Sequence, residues 1–246
     1  MKLGIFSDVH SNLEALQAVI EAFKGEGIDK YIFLGDAVGY GANPNECCHL
    51  IKKLADYAIL GNHDAACCKK LSYLWFNPVA QKAINWSQQQ LSQENQQWLE
   101  SLDYTLEFQG FLMSHGLPLK PEAFEYDDNI ANVRLCFNKL GNRFPLFFIG
   151  HSHRPLVFIM QNSKKGNVVL ENKGHLHINR DNNYLINVGS VGQPRDGNPL
   201  ACYTIFNTEE GVITSRRIEY NIEKAGQKIR NAHLPPVLAE RLMLGY

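Results

Sequence analysis

Seven side chains able to ligate a metal ion, Asp8, His10, Asp36, Asn62, His115, His151 and His153, fall into five short clusters. The clusters read Asp8-Val9-His10, Gly35-Asp36, Gly61-Asn62-His63-Asp64, Ser114-His115-Gly116 and Gly150-His151-Ser152-His153. Hard divalent ions at a hydrolytic centre favour carboxylate oxygens combined with imidazole nitrogens; this set supplies both, and Asn62 adds a neutral oxygen. In Asp-x-His and His-x-His an extended backbone would aim both ligands the same way, whereas a helix would send them apart. Seven ligands hold two ions if one carboxylate bridges, and Asp36 is the natural bridge. Ions paired roughly 3.5–4 Å apart clamp the attacking and leaving oxygens of an in-line displacement at phosphorus, and a water between them yields hydroxide near neutral pH. The leaving oxygen also needs a proton. His63 is the expected general acid, with Asp64 as its orienter, since a carboxylate accepting from the ring would fix its tautomer and raise its pKa.

Elements must bring these clusters together. Most of them directly follow apolar runs, at 3–6, 31–34, 57–60, 111–113 and 146–149, which read as short buried strands. Side chains just past strand ends in an open α/β sheet converge on one crevice. Leu13, Leu16, Val19, Ile20 and Phe23 recur near helical spacing, with Ser11 or Asn12 as N-cap and Gly25 and Gly27 at the stop. Pro44 opens a second helix to about residue 54, so the first sixty residues read β-α-β-α-β with parallel strands. Residues 78–102 suggest two short helices with a Gln-rich solvated face. Segments 106–108 and 111–114 flank a Gln109-Gly110 turn. Strand-like runs follow at 156–160, 168–170, 184–188, 201–206 and 212–218, with hairpin loops expected at 162–167 and 179–183. A sandwich of two mixed β-sheets with helices on its outer faces accommodates both halves. Two short helices are expected from residue 221, around Pro235-Pro236; they could pack back on the domain, cover the cleft or form a subunit contact.

A chain of 246 residues with 45% hydrophobic residues can bury a large core, and we expect one domain over 1–246 with a C-terminal helical segment at about 221–246. Net charge −1 and a pI near 6.7 draw it to neither nucleic acid nor an anionic membrane. No apolar stretch approaches the ~20 residues of a membrane span, and no secretory signal precedes the first strand, so a soluble cytoplasmic protein is expected. The six cysteines, in the pairs Cys47-Cys48 and Cys67-Cys68 with Cys136 and Cys202 alone, read as reduced thiols. His49, His175, His177 and His233 read as structural or exposed; His175-x-His177 repeats the ligand spacing in a polar region with no preceding apolar strand.

The segments Ser7-Asp8-Val9-His10-Ser11-Asn12, Gly35-Asp36-Ala37-Val38-Gly39-Tyr40-Gly41, Gly61-Asn62-His63-Asp64, His115 and Gly150-His151-Ser152-His153 together resemble the calcineurin-like metallophosphoesterases. A further stretch from Asn187 to Gly197 is similar to their bacterial and archaeal single-domain branch. The resemblance implies a four-layer αββα sandwich. It implies one metal on Asp8, His10, Asp36 and His153, another on Asp36, Asn62, His115 and His151, and His63 as proton donor. Manganese, iron, zinc or cobalt would serve. The protein Ser/Thr phosphatases of that superfamily carry an arginine where this chain has Tyr40, and a second just after the Asn-His motif, where Asp64-Ala65-Ala66-Cys67 has none. Arg195 is the candidate replacement as a bidentate phosphate donor, Asn12 could donate to the substrate, and Tyr40 could stack on a base.

The leading expectation is therefore a dimetal phosphoesterase acting on a small phosphodiester or nucleotide phosphoanhydride, such as a dinucleoside polyphosphate. The alternatives are a phosphoprotein Ser/Thr phosphatase and a non-catalytic metal-stabilised ligand sensor. No membrane or nucleic-acid partner is expected, and a homo-oligomer stays open.

Overall fold

The computed structural model describes residues 1–161, 168–171 and 174–246; the hairpin loop expected at 162–167 lies outside the described residues. Two six-stranded mixed sheets face each other. The first runs in the order β3 (Tyr57–Ala58), β2 (Lys30–Phe33), β1 (Lys2–Phe6), β11 (Ala201–Asn207), β12 (Val212–Ile218) and β9 (His175–His177). The second runs β4 (Thr105–Phe108), β5 (Phe111–Ser114), β6 (Leu146–Ile149), β10 (Asn183–Val188), β7 (Pro155–Met160) and β8 (Val168–Glu171). The β1–β2, β2–β3, β5–β6 and β6–β10 pairings are parallel, so these strands end on the same side within each sheet.

Alternation along the strands sorts side chains into two kinds of core. Leu3, Ile5, Ile32 and Leu34 of the first sheet meet Met113, Phe148, Ile186 and Val188 of the second in the apolar layer between them. Phe6 and Phe33 point outward, under α1 (Leu13–Lys24), α2 (Pro44–Leu54) and α5 (Gln93–Ser101), through Leu16, Val19, Phe23, Ile51 and Leu99. On the other outer face, Val133 and Phe137 of α6 (Ile130–Leu140) cover Phe147, Phe158 and Leu185. This is the expected four-layer αββα arrangement. Asn12 is the N-cap of α1, its side chain accepting from the Ala15 amide. Gln109 and Gly110 turn between β4 and β5 at φ 49° and 81°, the left-handed pair a two-residue hairpin needs.

Four details differ from the expectations. The third strand keeps only two residues, with Tyr57 36% exposed, because it lies at the sheet edge and its continuation, Ile59, bridges to Asp103. Residues 179–183 close no hairpin; they carry the chain from β9 in the first sheet to β10 in the second. The short helix α3 (Asn62–Cys67) and the whole of α6 were not foreseen. His175 and His177 are exposed, as expected, but on a paired edge strand.

The C-terminal helices α7 (Ile222–Asn231) and α8 (Val237–Leu244) pack back on the chain. Ala225, Ile229, Leu238 and Leu242 close an apolar cluster with Tyr40 and with Ala80 and Ala83 of α4 (Pro78–Gln90). Lys228 Nζ lies 2.7 Å from Glu14 Oε1 and donates to Asn43 Oδ1 at 2.9 Å, and the Gly197 amide donates to the Gly245 carbonyl at 2.9 Å.

Candidate metal centre

All seven candidate ligands gather where β1, β2, β5 and β6 end, and all seven are buried. His153 Nε2 lies 3.1 Å from Asp8 Oδ1 and 3.0 Å from His10 Nε2. His115 Nε2 lies 3.3 Å from Asp36 Oδ2 and 3.1 Å from Asn62 Oδ1. Asp36 Oδ2 also stands 3.6 Å from His10 Nε2, so one oxygen reaches both halves of the cluster. The other Asp36 oxygen, Oδ1, accepts from the His63 amide at 2.8 Å. Asp8, His10 and His153 bring ligand atoms within 4.8 Å of one another, as do Asp36, His115 and His151.

The local backbone is not extended, contrary to the expectation for the one-residue spacers. Asp8, His10, Asp36, His151 and His153 all have φ between 47° and 68°, in the left-handed region that side chains with a Cβ rarely occupy. Each left-handed stretch begins two residues past its strand, at Asp8 after Phe6, Gly35 after Phe33 and His151 after Ile149, and the turn lets Asp8 and His10 converge from either side of Val9. Such strain persists only where neighbours enforce it. The enforcement is visible: the amides of Asp8, His10 and Ser11 donate to the carbonyls of Gly35, Asp36 and Ala37 at 2.9–3.0 Å, carrying the β1–β2 pairing past both strand ends. Gly61 and Gly150 stand so close that an added Cβ would lie 2.1 Å from Asp36 Oδ1 and from Ser7 Oγ respectively.

The donor set fits divalent metal ions. His10 Nδ1 faces the Val38 carbonyl at 3.0 Å, His115 Nδ1 that of Leu34 at 2.7 Å and His153 Nδ1 that of Gln193 at 2.5 Å. A carbonyl can only accept, so each Nδ1 carries hydrogen and each Nε2 is the nitrogen turned into the cluster, the one that would ligate a metal. Asp8 Oδ1 and His151 Nε2 are buried without any hydrogen-bond partner, a costly state unless a cation completes them. The charges show the pull of the cluster on a cation: burial disfavours charge on His115, yet Asp36 and Asp8 outweigh it and push the ring up to about 9, so a metal on Nε2 would displace a proton. Burial brings His151 down to about 3 and His153 to about 4, leaving both neutral as ligands must be.

His63 sits at the edge of this cluster, its ring centroid 4.8 Å from that of His10 and 4.5 Å from that of Tyr40. Its expected link to Asp64 is absent. Successive residues of α3 point apart, and the Asp64 carboxylate instead accepts from the amides of Asp36 at 2.7 Å, Val38 at 3.2 Å and Gly61 at 3.3 Å, while His63 Nδ1 has no partner. Asp64 thus shapes the turn that presents Asp36. Burial, followed by the charge of Asp36, pushes Asp64 up to about 7. The expected rise at His63 is also reversed: burial holds its ring well below the usual value, with the charge of Asp36 pulling the other way.

The three candidate substrate contacts separate. Asn12 is buried, its Nδ2 donating to the Gly192 carbonyl at 2.9 Å and its Oδ1 capping α1, so both polar atoms serve the fold. Tyr40 and Arg195 do meet at the cluster: Arg195 Nη2 donates to Tyr40 Oη at 3.3 Å and to Gln193 Oε1 at 3.2 Å, while its Nε is buried without a partner. The sequence reading missed the residues that hold the ligand loops. Asn187 Nδ2 donates to the Gly150 carbonyl at 2.5 Å, Ser152 Oγ at 2.9 Å and Asp127 Oδ2 at 3.1 Å. Ser190 Oγ donates to the Asp8 carbonyl and accepts from the Gln193 amide, both at 2.8 Å. Asn187, Ser190 and Gln193 lie in the 187–197 stretch already singled out; Asp127 carried no signal.

Residues 1–211 match the model of the calcineurin-like phosphoesterase superfamily domain. An uncharacterised protein of Methanocaldococcus jannaschii is 44% identical over 249 aligned residues, covering 99% of this chain and 98% of the relative. The solved structure of a metallophosphoesterase from Sphaerobacter thermophilus superposes with a TM-score of 0.85 at 38% identity, covering 100% of both chains. A hypothetical protein from Pyrococcus horikoshii shares the fold at a TM-score of 0.78 and 19% identity, covering 100% of this chain and 98% of its own. With ligands, sheets and relatives in agreement, the chain belongs to the calcineurin-like phosphoesterase superfamily and is a metal-dependent phosphoesterase.

Proposed function

We infer that the protein hydrolyses a small phosphodiester or nucleotide phosphoanhydride, with two divalent ions shared through Asp36. The observation that carries this reading is Asp36 itself: Oδ1 is pinned by the His63 amide and Oδ2 stands between His10 and His115. Asp8, His10, Asp36 and His153 would hold one ion; Asp36, Asn62, His115 and His151 the other. Such ions supply Lewis acidity toward a phosphoryl group and lower the pKa of a coordinated water. Manganese is the ion of choice for the first assay, since the mixed oxygen and imidazole set accepts it.

The chain's own residues then bind and protonate. Arg195, already bonded to Tyr40, offers its guanidinium to phosphoryl oxygens. His63 is the proton donor to the leaving oxygen. Burial opposes its charged form, but Asp36 favours it, and a phosphate anion seated alongside adds to that pull. One arginine and two ions suit a diester, which carries less charge than a monoester. We read the whole chain, 1–246, as one metallophosphoesterase domain, since α7 and α8 share an apolar cluster with Tyr40. Six cysteines, none in a disulfide, support a reducing compartment such as the cytoplasm.

Hydrolysis of bis-para-nitrophenyl phosphate by manganese-loaded protein tests the reading. Turnover should disappear in Asp36→Ala and fall 10²–10⁴-fold in His63→Ala with metal content retained. Equal turnover in the His63 variant would remove that residue from proton donation, and equal turnover in the Asp36 variant would overturn the site.

A further inference from the structure

Beside the metal centre lies an open groove of about 460 Å³ whose floor includes Asn62, His63 and His151. Its walls are aromatic. Trp75 is 92% exposed and Tyr126 is 47% exposed, and both line the groove together with Phe76 and Phe124. Tyr126 lies flat on His151, ring centroids 3.9 Å apart and planes 25° from parallel, which leaves its other face available. An indole held almost wholly in water gains nothing for the fold, whereas an aromatic surface next to a reacting centre is what a flat ring needs for stacking.

The charge of the groove narrows the ligand. Setting its histidines aside, Glu122 is the one residue with a formal charge among the lining residues, and no lysine or arginine lines it. The cation that reaches the lining is Arg195, through Tyr40 and Tyr126, and it is assigned to the phosphate at the metal centre; beside Glu122 a further phosphate would be repelled. A neutral ring with N–H donors would be accepted, its edge toward Glu122. His63, the residue assigned to protonate the leaving oxygen, belongs to the same groove.

We propose that this groove is the leaving-group subsite and takes a planar nitrogen heterocycle of the nucleobase class, stacked against Trp75 and Tyr126 with Glu122 accepting from its N–H groups. The proposal rests on the phosphoesterase reading for the position of the phosphate. It favours a phosphodiester with a nucleoside leaving group over a substrate whose polyphosphate chain would run along the groove.

Equilibrium binding separates the two ideas, because it does not require turnover. Adenosine 5′-monophosphate and ribose 5-phosphate carry the same phosphate and differ by the base. Calorimetric titration of the manganese-loaded chain should show the nucleotide bound at least about fivefold more tightly, the range expected for one stacked base. In Trp75→Ala, a substitution at an exposed position, that ratio should fall toward one, and Glu122→Ala should lower it as well. Equal affinity of the two ligands for the unaltered protein, or a ratio untouched by Trp75→Ala, would overturn the subsite. Neither result touches the phosphoesterase reading, which fails separately if bis-para-nitrophenyl phosphate is not hydrolysed or if Asp36→Ala still turns it over.

Discussion

The Asp64 carboxylate accepts from three backbone amides, those of Asp36, Val38 and Gly61, and so holds the turn that presents Asp36. An isosteric Asp64→Asn change puts an amide N–H₂ against at least one of those donors. The buried, mismatched donor should destabilise the fold by about 1–3 kcal/mol, read by chemical denaturation, and should lower metal content through Asp36. Unchanged stability and full metal content would return Asp64 to another role. The seven candidate ligands that the structure gathers were legible from sequence, because residue type and order mark them. The left-handed backbone at Asp8, His10, Asp36, His151 and His153 was not, since those φ values are enforced by the opposite strand and loop.

Elements set the next scale. The periodic helices and apolar strands were readable because each buries one face or a continuous run. The six-residue α3 is too short for a periodic signal, whereas α6 carries helical spacing in Ile130, Val133, Phe137 and Leu140, so its period was legible in the sequence though not among the expectations. The C-terminal pair bears directly on the site, since Leu238, fully buried, shares its cluster with Tyr40. Leu238→Ala should lower stability by about 2–5 kcal/mol in thermal or denaturant unfolding. A loss well under 1 kcal/mol would mean that α8 is only loosely docked. At the edge of the first sheet, Asp56 accepts from Lys30 Nζ at 2.6 Å and from the Tyr31 amide at 2.9 Å, tying β2 to the start of β3. Burial works to raise the Asp56 pKa, but the hydrogen bonds from Lys30 and Tyr31 outweigh it and hold it below its ordinary 3.8. A depressed carboxylate pKa gives stability that is present above the unfolded value and lost as pH falls through the folded one. Lys30→Met should therefore be less stable than the parent at neutral pH, with the gap closing in acid below 3.8; a gap constant with pH would count against the pair.

For the whole molecule, the metal centre joins loops from both sheets, so metal occupancy and global stability should be linked. Ligands that bind only the folded state stabilise it by about 2.7 kcal/mol at a hundred times Kd. For a chain of 246 residues this corresponds to a rise of roughly 5–11 °C in Tm on manganese loading, reversed by a chelator and much reduced in Asp36→Ala. A chelator-insensitive Tm would mean that the ion does not bind the folded chain in preference to the unfolded one. No helix among the described residues is long and apolar enough to cross a membrane. The amino-acid sequence by itself determined the candidate ligand residues, their order, the strands that carry them and the family, because these depend on residue type and local period. The tertiary structure alone decided which histidine nitrogens face the cluster, that Asp64 serves the Asp36 turn, that Asn12 is engaged by the fold, and that aromatic side chains from distant loops wall one groove. Each of these depends on hydrogen bonds or contacts between segments tens to hundreds of residues apart, such as Asn12 to Gly192, and no local pattern encodes such partners.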